Sequence, residues 1–182
     1  MNLRLLCGSL MIMLCFVSCT TRGEDKTKQP KITIELKALT SVGTAKQPVK
    51  LALIITNRSK KTVTLVQPGD GSLVGWRTPV IQWHVNGQRS KLPPGRCGNV
   101  NPLRANEVFT LKPGEHKQLS TWIGAPWLKS PGKYQVSLRY TNDPKLKWRG
   151  LPLGKHDPDA MKKVRTSTAV TLQSNVVQVQ IK

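Results

Sequence analysis

The sequence predicts an all-β fold, an antiparallel sandwich of about eight strands. Eight segments are rich in β-branched or aromatic residues, and most of them alternate apolar with polar positions. This is the pattern of strands that have one buried and one solvated face. Turn-forming pairs such as Asn86-Gly87 and Pro113-Gly114 separate the segments, and long helical periodicity is absent. The predicted strands cover residues 31–39, 49–56, 62–66, 80–85, 107–111, 116–123, 133–140 and 174–181.

Three stretches resemble the recurring turns and strands of bacterial immunoglobulin-like sandwiches. In LIITNRSKKTVTLV, Asn57 ends a strand before a hairpin, while LKPGEHKQLSTW and PGKYQVSLRY place a Pro-Gly turn before a strand. The resemblance covers residues 31–141 and 174–181, and it implies a fold rather than an activity. It also implies that Tyr134 is a tyrosine corner, with a buried ring and a hydroxyl bonded to the backbone.

Within this class, the strand spacing is distantly similar to that of the intracellular proteinase inhibitor family. Members of that family are linked with protease inhibition, but no inhibitory loop matches this chain residue by residue. The whole chain also resembles uncharacterised exported proteins of bacteria. Protease inhibition is therefore an expectation that depends on the resemblance alone.

The start of the chain has the pattern of an export signal. Arg4 precedes an apolar run from Leu5 to Val17, and the small Ser18 stands before Cys19. A membrane-spanning helix needs about 20 apolar residues, so this run is too short to be one. We expect residues 1–18 to be a cleaved signal peptide.

The end of this signal resembles the lipobox of bacterial lipoproteins. Val17, Ser18 and Cys19 match it, whereas Phe16 stands where leucine is usual. The resemblance implies that Cys19 is lipidated and anchors the protein to a membrane, with residues 19–30 as a flexible tether. Thr20, where aspartate would signal retention, implies the outer membrane if the source has one.

Residues 31–182 form one predicted sandwich domain with long loops at 87–106 and 141–173. The chain has 29 Lys and Arg against 9 Asp and Glu, a formal net charge of +20. Such an excess favours anionic partners, among them lipids, acidic glycans and acidic proteins. Nucleic acid is not expected as a partner of an exported protein. Because the charges are spread along the polar sides of the strands, a solvated basic surface without a dedicated site is the competing interpretation.

The loop at 141–173 is longer than a hairpin requires, and such loops are often functional. Asp157 is a good N-cap and Pro158 suits a first helical turn, so a short helix should run from Pro158 to about Arg165. The loop is either an ordered cap anchored by Trp148, Leu151, Leu153 and Met161, or a recognition surface. The candidate binding residues are Lys145, Lys147, Trp148, Arg149, Lys155, Lys162, Lys163 and Arg165.

Catalytic and metal-binding patterns are absent from the sequence. The three histidines are far apart in the chain, and no metalloprotease, nucleophile-elbow or phosphate-loop motif occurs. Cys97 remains once the other cysteines are removed or lipidated, so we expect a buried or tolerated thiol and no intrachain disulfide. His156, Asp157 and Asp159 could ligate a metal, but helix capping explains the two aspartates more simply. We expect no enzyme activity, no cofactor and no metal.

These observations give three functional expectations. The first is a lipid-anchored protein of the cell envelope that acts as a non-catalytic protein-binding or structural module, with an envelope protein as its partner. The second is a module that binds polyanions or acidic glycans through the candidate residues. The third is the protease inhibitor that the family similarity implies.

Overall fold

A computed structural model describes residues 31–44, 47, 49–69, 77, 80–90, 102–123, 128 and 130–182. The predicted signal peptide, Cys19, the tether, Cys97, Trp76 and Trp127 lie outside the described residues. The strands are β1 (Ile32–Ala38), β2 (Val42–Gly43), β3 (Lys50–Asn57), β4 (Val63–Val66), β5 (Ile81–Val85), β6 (Gln88–Arg89), β7 (Val108–Leu111), β8 (His116–Ile123), β9 (Gly132–Asn142), β10 (Lys147–Trp148), β11 (Leu151–Pro152), β12 (Val170–Gln173) and β13 (Val177–Ile181). A 3-10 turn covers Ala105–Glu107, and one helix, α1, covers Pro158–Arg165.

The described strands form the predicted sandwich, in which every pair is antiparallel except that of β2 with β13. One sheet has the order β1-β3-β8, and a larger sheet of six strands has the order β2-β13-β9-β5-β6, with β12 also paired to β9. Strands β4 and β7 form a separate pair. The orders β1-β3-β8 and β13-β9-β5 correspond to the two sheets of immunoglobulin-like sandwiches. The predicted fold class, including an ordered insertion with one short helix, is therefore confirmed.

Alternation along the strands builds the core between the sheets. In β1 Ile32, Ile34 and Leu36 are buried, and in β9 the buried apolar residues are Val136, Leu138 and Tyr140. Trp83 of β5 is 2% exposed, as a tryptophan within a strand pattern should be. The apolar period of two thus decides which face of each strand points inwards.

Two buried asparagines, Asn57 and Asn142, join strand ends to neighbouring segments through side-chain hydrogen bonds. Asn57 donates from Nδ2 to the carbonyls of Lys61 (2.8 Å) and Leu111 (2.9 Å), so it joins the β3–β4 turn to β7. The side chain of Asn142 accepts from the N–H of Val66 (2.9 Å) and donates to the carbonyl of Thr168 (2.7 Å). A buried amide is tolerated when its donors and acceptors are paired in this way.

The two tyrosines of β9, Tyr134 and Tyr140, are buried to different depths, and Tyr134 lacks the buried ring that the resemblance implies. Its hydroxyl does donate to the carbonyl of Ser130 at 2.8 Å, as the resemblance implies, but the ring is only half-buried. Tyr140 is fully buried and donates to the carbonyl of Val66 at 2.7 Å. Burial raises the pKa of the Tyr140 phenol above its ordinary value near 10.

The limits of the long loops also differ from the prediction. Strand β9 continues to Asn142, and β12 lies wholly within the predicted loop 141–173, so the ordered insertion covers residues 143–169. The pattern VTLQ of β12 is short and pairs only with the end of β9, which is why it did not stand out. In the predicted loop 87–106, Gln88 and Arg89 form β6 and Ala105 begins the 3-10 turn.

Candidate functional site

The insertion begins with a small hairpin of β10 and β11. Trp148 pairs with Leu151 across a two-residue turn in which Arg149 has φ 53° and Gly150 has φ 81°. Both residues are left-handed, as the tightest hairpin turns require. The turn presents Arg149 to solvent, while Trp148 packs against the core and remains half-buried. The stretch KLKWR, residues 145–149, is therefore a strand-like arm.

Helix α1 forms where the sequence predicts it. The side chain of Asp157 accepts from the N–H of Ala160 at 3.0 Å, and Pro158 occupies the first turn. Ala160 and Val164 are buried on its inner face, whereas the three basic residues of its last turn are exposed. Cations suit a helix C-terminus because they complement its partial negative charge.

Asp157 also fastens the helix to the 3-10 turn. Its second carboxylate oxygen accepts from the N–H of Ala105 at 3.0 Å, and Lys163 donates to the carbonyl of Ala105 at 3.0 Å. The hydrogen bonds from the Ala160 and Ala105 backbone hold the pKa of the Asp157 carboxyl below its ordinary value. Sequence reasoning predicted the cap but could not predict this second partner, which lies 52 residues away.

Gly154 allows the chain to turn closely against the start of α1. Its φ is +79°, and a Cβ added there would lie 2.7 Å from the backbone nitrogen of Met161. A larger residue would meet both backbone strain and a clash with main-chain atoms. Gly154 therefore fixes the path from the hairpin into the helix.

A buried ion pair lies beneath the insertion, and sequence reasoning missed it. The guanidinium of Arg77, which is fully buried, donates through Nη2 to both carboxylate oxygens of Glu107 at 3.0 and 2.9 Å. Its Nη1 donates to the carbonyls of Gln67 and Gly69. Hydrogen bonds between two charged groups are shorter and stronger than those between neutral groups. No local pattern marks either residue, because Glu107 only begins a strand pattern and Arg77 lies 30 residues before it.

The ion pair connects the 3-10 turn to the tryptophan of the hairpin. Glu107 also accepts from the N–H of Arg104 at 2.8 Å, which closes the 3-10 turn. The guanidinium carbon of Arg77 lies 5.8 Å from the ring centre of Trp148, and that of Arg149 lies 5.4 Å from it. Both distances are within the range of cation–π attraction. Trp148 thus lies within cation–π range of a buried cation and of an exposed one.

A groove of about 260 Å³ lies beside Trp148. Its apolar lining includes Pro102, Leu103, Leu153 and the Trp148 ring, and Leu151 at the groove is 38% exposed. The prediction that Leu151 is a buried anchor is wrong, whereas Leu153 is buried as expected. The groove also contains Arg149, Lys155 and His156, and none of its described lining residues is acidic.

The structure gathers part of the predicted binding surface. Trp148, Arg149 and Lys155 line the groove, and Lys145 and Lys147 are exposed on the same arm of the chain. Lys162, Lys163 and Arg165 are exposed on α1 and are not among the groove's lining residues. Lys163 is engaged with the backbone of Ala105, so it supports the insertion. The candidate set therefore divides into a groove part and a helix part.

The described residues also bear on metal binding and on membrane insertion. No group of three or more His, Cys, Asp or Glu among them is placed to hold a metal ion. None of their helices is both long and apolar enough to cross a membrane.

Fold and groove define an immunoglobulin-like β-sandwich with an ordered insertion on its surface. No family model matches the sequence, and no curated protein matches it. Among solved structures, the chain is similar to the CARDB domain of the PF1109 protein from Pyrococcus furiosus, in a crystal structure with di-metal ions and in a solution NMR structure. Sequence identity is 13% to both structures. The match to the crystal structure has a TM-score of 0.40 and covers 85% of this chain and 90% of the other. The match to the NMR structure has a TM-score of 0.38 and covers 84% of this chain and 95% of the other. A likeness at these scores carries no information on function.

Proposed function

We propose that this protein is a lipid-anchored module of the bacterial envelope that binds an acidic segment of another envelope protein, without catalysing a reaction. The observation that carries the proposal is the groove beside Trp148, where an apolar floor meets exposed cations. An apolar side chain of a partner would fill the floor, and flanking carboxylates would pair with Arg149 and Lys155.

The composition of the groove favours a protein segment over a sugar chain. Leucines, prolines and an aromatic ring make up most of its lining. Sugar hydroxyls need hydrogen-bond partners, and burying them against such a lining without partners costs free energy. Aromatic and arginine side chains, in contrast, are the residues that contribute most at protein interfaces.

The support beneath the groove favours binding as well. Trp148 lies within cation–π range of Arg77 and of Arg149, and the chain around it is held by the Asp157 and Glu107 hydrogen bonds. A surface that is already ordered loses little conformational entropy when a partner binds. A loop that served only to cover the core would not need an exposed apolar groove.

The location in the envelope is part of the proposal and is supported by the export signal and by the match of Val17, Ser18 and Cys19 to a lipobox. It is tested by growing cells with a labelled fatty acid. We expect label in the wild-type protein and none in Cys19→Ser, and an unlabelled wild-type protein would overturn the anchor. The outer membrane, if the source has one, is the expected site.

The groove is tested with the full-length protein in detergent and a synthetic peptide in which glutamates flank one leucine. We expect saturable binding that weakens as salt rises and when serine replaces the leucine. Trp148→Ala should weaken binding about tenfold, because a central aromatic anchor carries much of the energy of a small interface. Val176→Ala is the matched control, since Val176 is 58% exposed and does not line the groove.

A photo-reactive phenylalanine analogue at Leu151, compared with one at Val176, then identifies the partner in intact cells. We expect one envelope protein to be cross-linked at position 151 and not at 176. Its purified form should bind the wild-type protein and lose affinity for the Arg149→Gln, Lys155→Gln variant. The same cross-linking at both positions, or peptide binding indifferent to Trp148→Ala, would contradict the proposal.

The other two expectations have different outcomes in these experiments. An acidic glycan bound on the insertion would give binding to heparin that depends on Trp148, and no preference for the leucine of the peptide. Protease inhibition has no support from the described residues and stays a prediction from the family resemblance.

A further inference from the structure

The outer face of the six-stranded sheet combines basic and amide side chains without acidic ones. None of its strands, β2, β5, β6, β9, β12 and β13, contains an acidic residue. Alternation along β9 directs one set of its residues away from the core. These are Lys133, Gln135, Ser137, Arg139 and Thr141, all exposed or half-exposed.

The strand register places further polar residues beside this row. Gln178 and Gln180 of β13 lie opposite Gln135 and Lys133. Gln173 of β12 and Gln82 of β5 both lie opposite Arg139, one on each side of it. Partners in an antiparallel pair point to the same face, so this face carries five glutamines. The Nε2 of Gln173 lies 3.5 Å from the Ser137 hydroxyl, in keeping with a shared face.

Two cations lie along the central strand of this face. Lys133 and Arg139 are six positions apart, about 20 Å along a strand. Neither forms a salt bridge within the described part of the chain. Each remains available to an anionic group, and a bound chain would have to extend along β9 to reach both.

A shallow depression of about 630 Å³ lies at the Lys133 end of the face. Its apolar lining consists of Val179, the exposed Val42 and the half-buried Tyr134. Its polar lining consists of Ser41, Asn86, Lys133, Gln135, Gln178 and Gln180. Each amide side chain offers both donors and an acceptor. The depression thus combines four amide side chains and one cation with a smaller apolar part, and none of its described lining residues is acidic.

This chemistry matches an acidic polysaccharide better than a protein or a nucleic acid. Amides and hydroxyls pair with sugar hydroxyls, and lysine and arginine pair with carboxylate or sulfate groups. A protein interface would need an apolar centre, and single-stranded nucleic acid would need stacked aromatic rings. Along β9 and its neighbours this face instead presents five glutamines, and a single aromatic ring, that of Tyr134, contributes to the described lining of the depression.

We infer that the outer face of the six-stranded sheet binds an acidic polysaccharide, which lies along β9 with one sugar in the depression beside Lys133. The site is separate from the groove beside Trp148 and does not depend on the function proposed for that groove. The protein would then hold a glycan on one surface and a protein segment on another.

The test uses the full-length protein in detergent with two immobilised acidic glycans, polygalacturonate and heparin, and with uncharged dextran. Three double variants separate the site from general charge attraction. Lys133→Gln with Arg139→Gln removes both cations of β9 on this face, and Gln135→Ala with Gln178→Ala changes the face without altering charge. Lys60→Gln with Lys112→Gln removes the same amount of charge as the first variant, but at exposed positions in the β3–β4 and β7–β8 turns.

We expect binding to at least one acidic glycan and not to dextran. The cation variant should weaken it about tenfold, since it loses two charge-assisted contacts, and the amide variant about fivefold. The Lys60 and Lys112 variant should change it less than twofold. Urea denaturation of each variant verifies that the fold is retained.

Two results would overturn the inference. The first is a wild-type protein that binds neither acidic glycan at low salt. The second is equal weakening by the two charge-removing variants together with no effect of the amide variant, which would show attraction by net charge alone. Weakened peptide binding by the groove variants bears on the proposed function and leaves this result unaffected.

Discussion

The groove beside Trp148 and the outer face of the six-stranded sheet are both basic surfaces, but they are built in different ways. The groove depends on contacts between distant parts of the chain: Arg77 with Glu107, and Asp157 with Ala105. The sheet face depends on the register of β9 with its neighbours over the apolar core. The groove is lined mainly by apolar side chains with charges beside them, whereas the sheet face is mainly polar, with Val42 and the half-buried Tyr134 at one end.

This difference shows that net charge by itself does not indicate what a surface binds. Lys133 on the sheet and Lys155 at the groove carry the same charge, yet one lies among amides and the other beside leucines and a tryptophan. The neighbouring side chains decide which partner can also satisfy the rest of the surface. A substitution that breaks the contacts beneath the groove should therefore change binding at the groove and leave binding at the sheet face nearly unchanged.

The largest effect should come from breaking the ion pair beneath the groove. Glu107→Ala leaves the fully buried Arg77 without its carboxylate, and we expect the free energy of unfolding to fall by about 3 kcal/mol. In the folded fraction, affinity for the leucine peptide should drop while glycan binding stays within about twofold. Urea denaturation and the two binding assays measure these changes.

Two variants serve as controls for this prediction. Glu35→Ala removes an exposed carboxylate that lies 3.7 Å from Lys37, and it should cost less than about 1 kcal/mol. Arg77→Met combined with Glu107→Leu removes both charges, and it should recover most of the stability lost by Glu107→Ala. If Glu107→Ala costs no more than Glu35→Ala, the ion pair does not support the groove.

A smaller effect should follow at the border between sheet and insertion. Asn142→Ala removes the partner of the Val66 N–H and of the Thr168 carbonyl, and we expect a loss of about 2 kcal/mol in urea denaturation. Hydrogen exchange should increase in β4 and β12 more than in β13. Gln173→Ala, at an exposed position of β12, is the control and should stay within about 0.5 kcal/mol. Equal losses in the two variants would argue against a special role for Asn142.

The smallest effect concerns pH and the attachment of α1. Because hydrogen bonds lower the pKa of Asp157, its stabilising contribution is complete above the ordinary pKa near 4 and is lost as pH falls through the lowered value. Asp157→Asn should therefore be less stable than the wild-type protein at about pH 6. The difference in the free energy of unfolding between the two proteins, measured by urea denaturation, should shrink as pH falls below about 4. A difference that is constant with pH would contradict this account.

The local features of the fold could be predicted from the sequence. Alternation placed the eight main strands, Asn57 ended β3 as expected, and Asp157 with Pro158 began the helix. Each of these depends on neighbours within a few residues, through side-chain period, turn geometry and capping. The same reasoning found Trp148, Arg149 and Lys155, because they alternate or lie close together in one stretch of the chain.

Only the tertiary structure decided how these pieces form surfaces. It brought Arg77 to Glu107, gave Asp157 a second partner, buried Tyr140 more deeply than Tyr134, and aligned glutamines from β5, β9, β12 and β13 on one face. Such contacts depend on strand order and register, which the spacing of apolar residues leaves open. The sequence by itself determined which faces of the strands are buried, whereas the packing of distant segments determined what the exposed faces can bind.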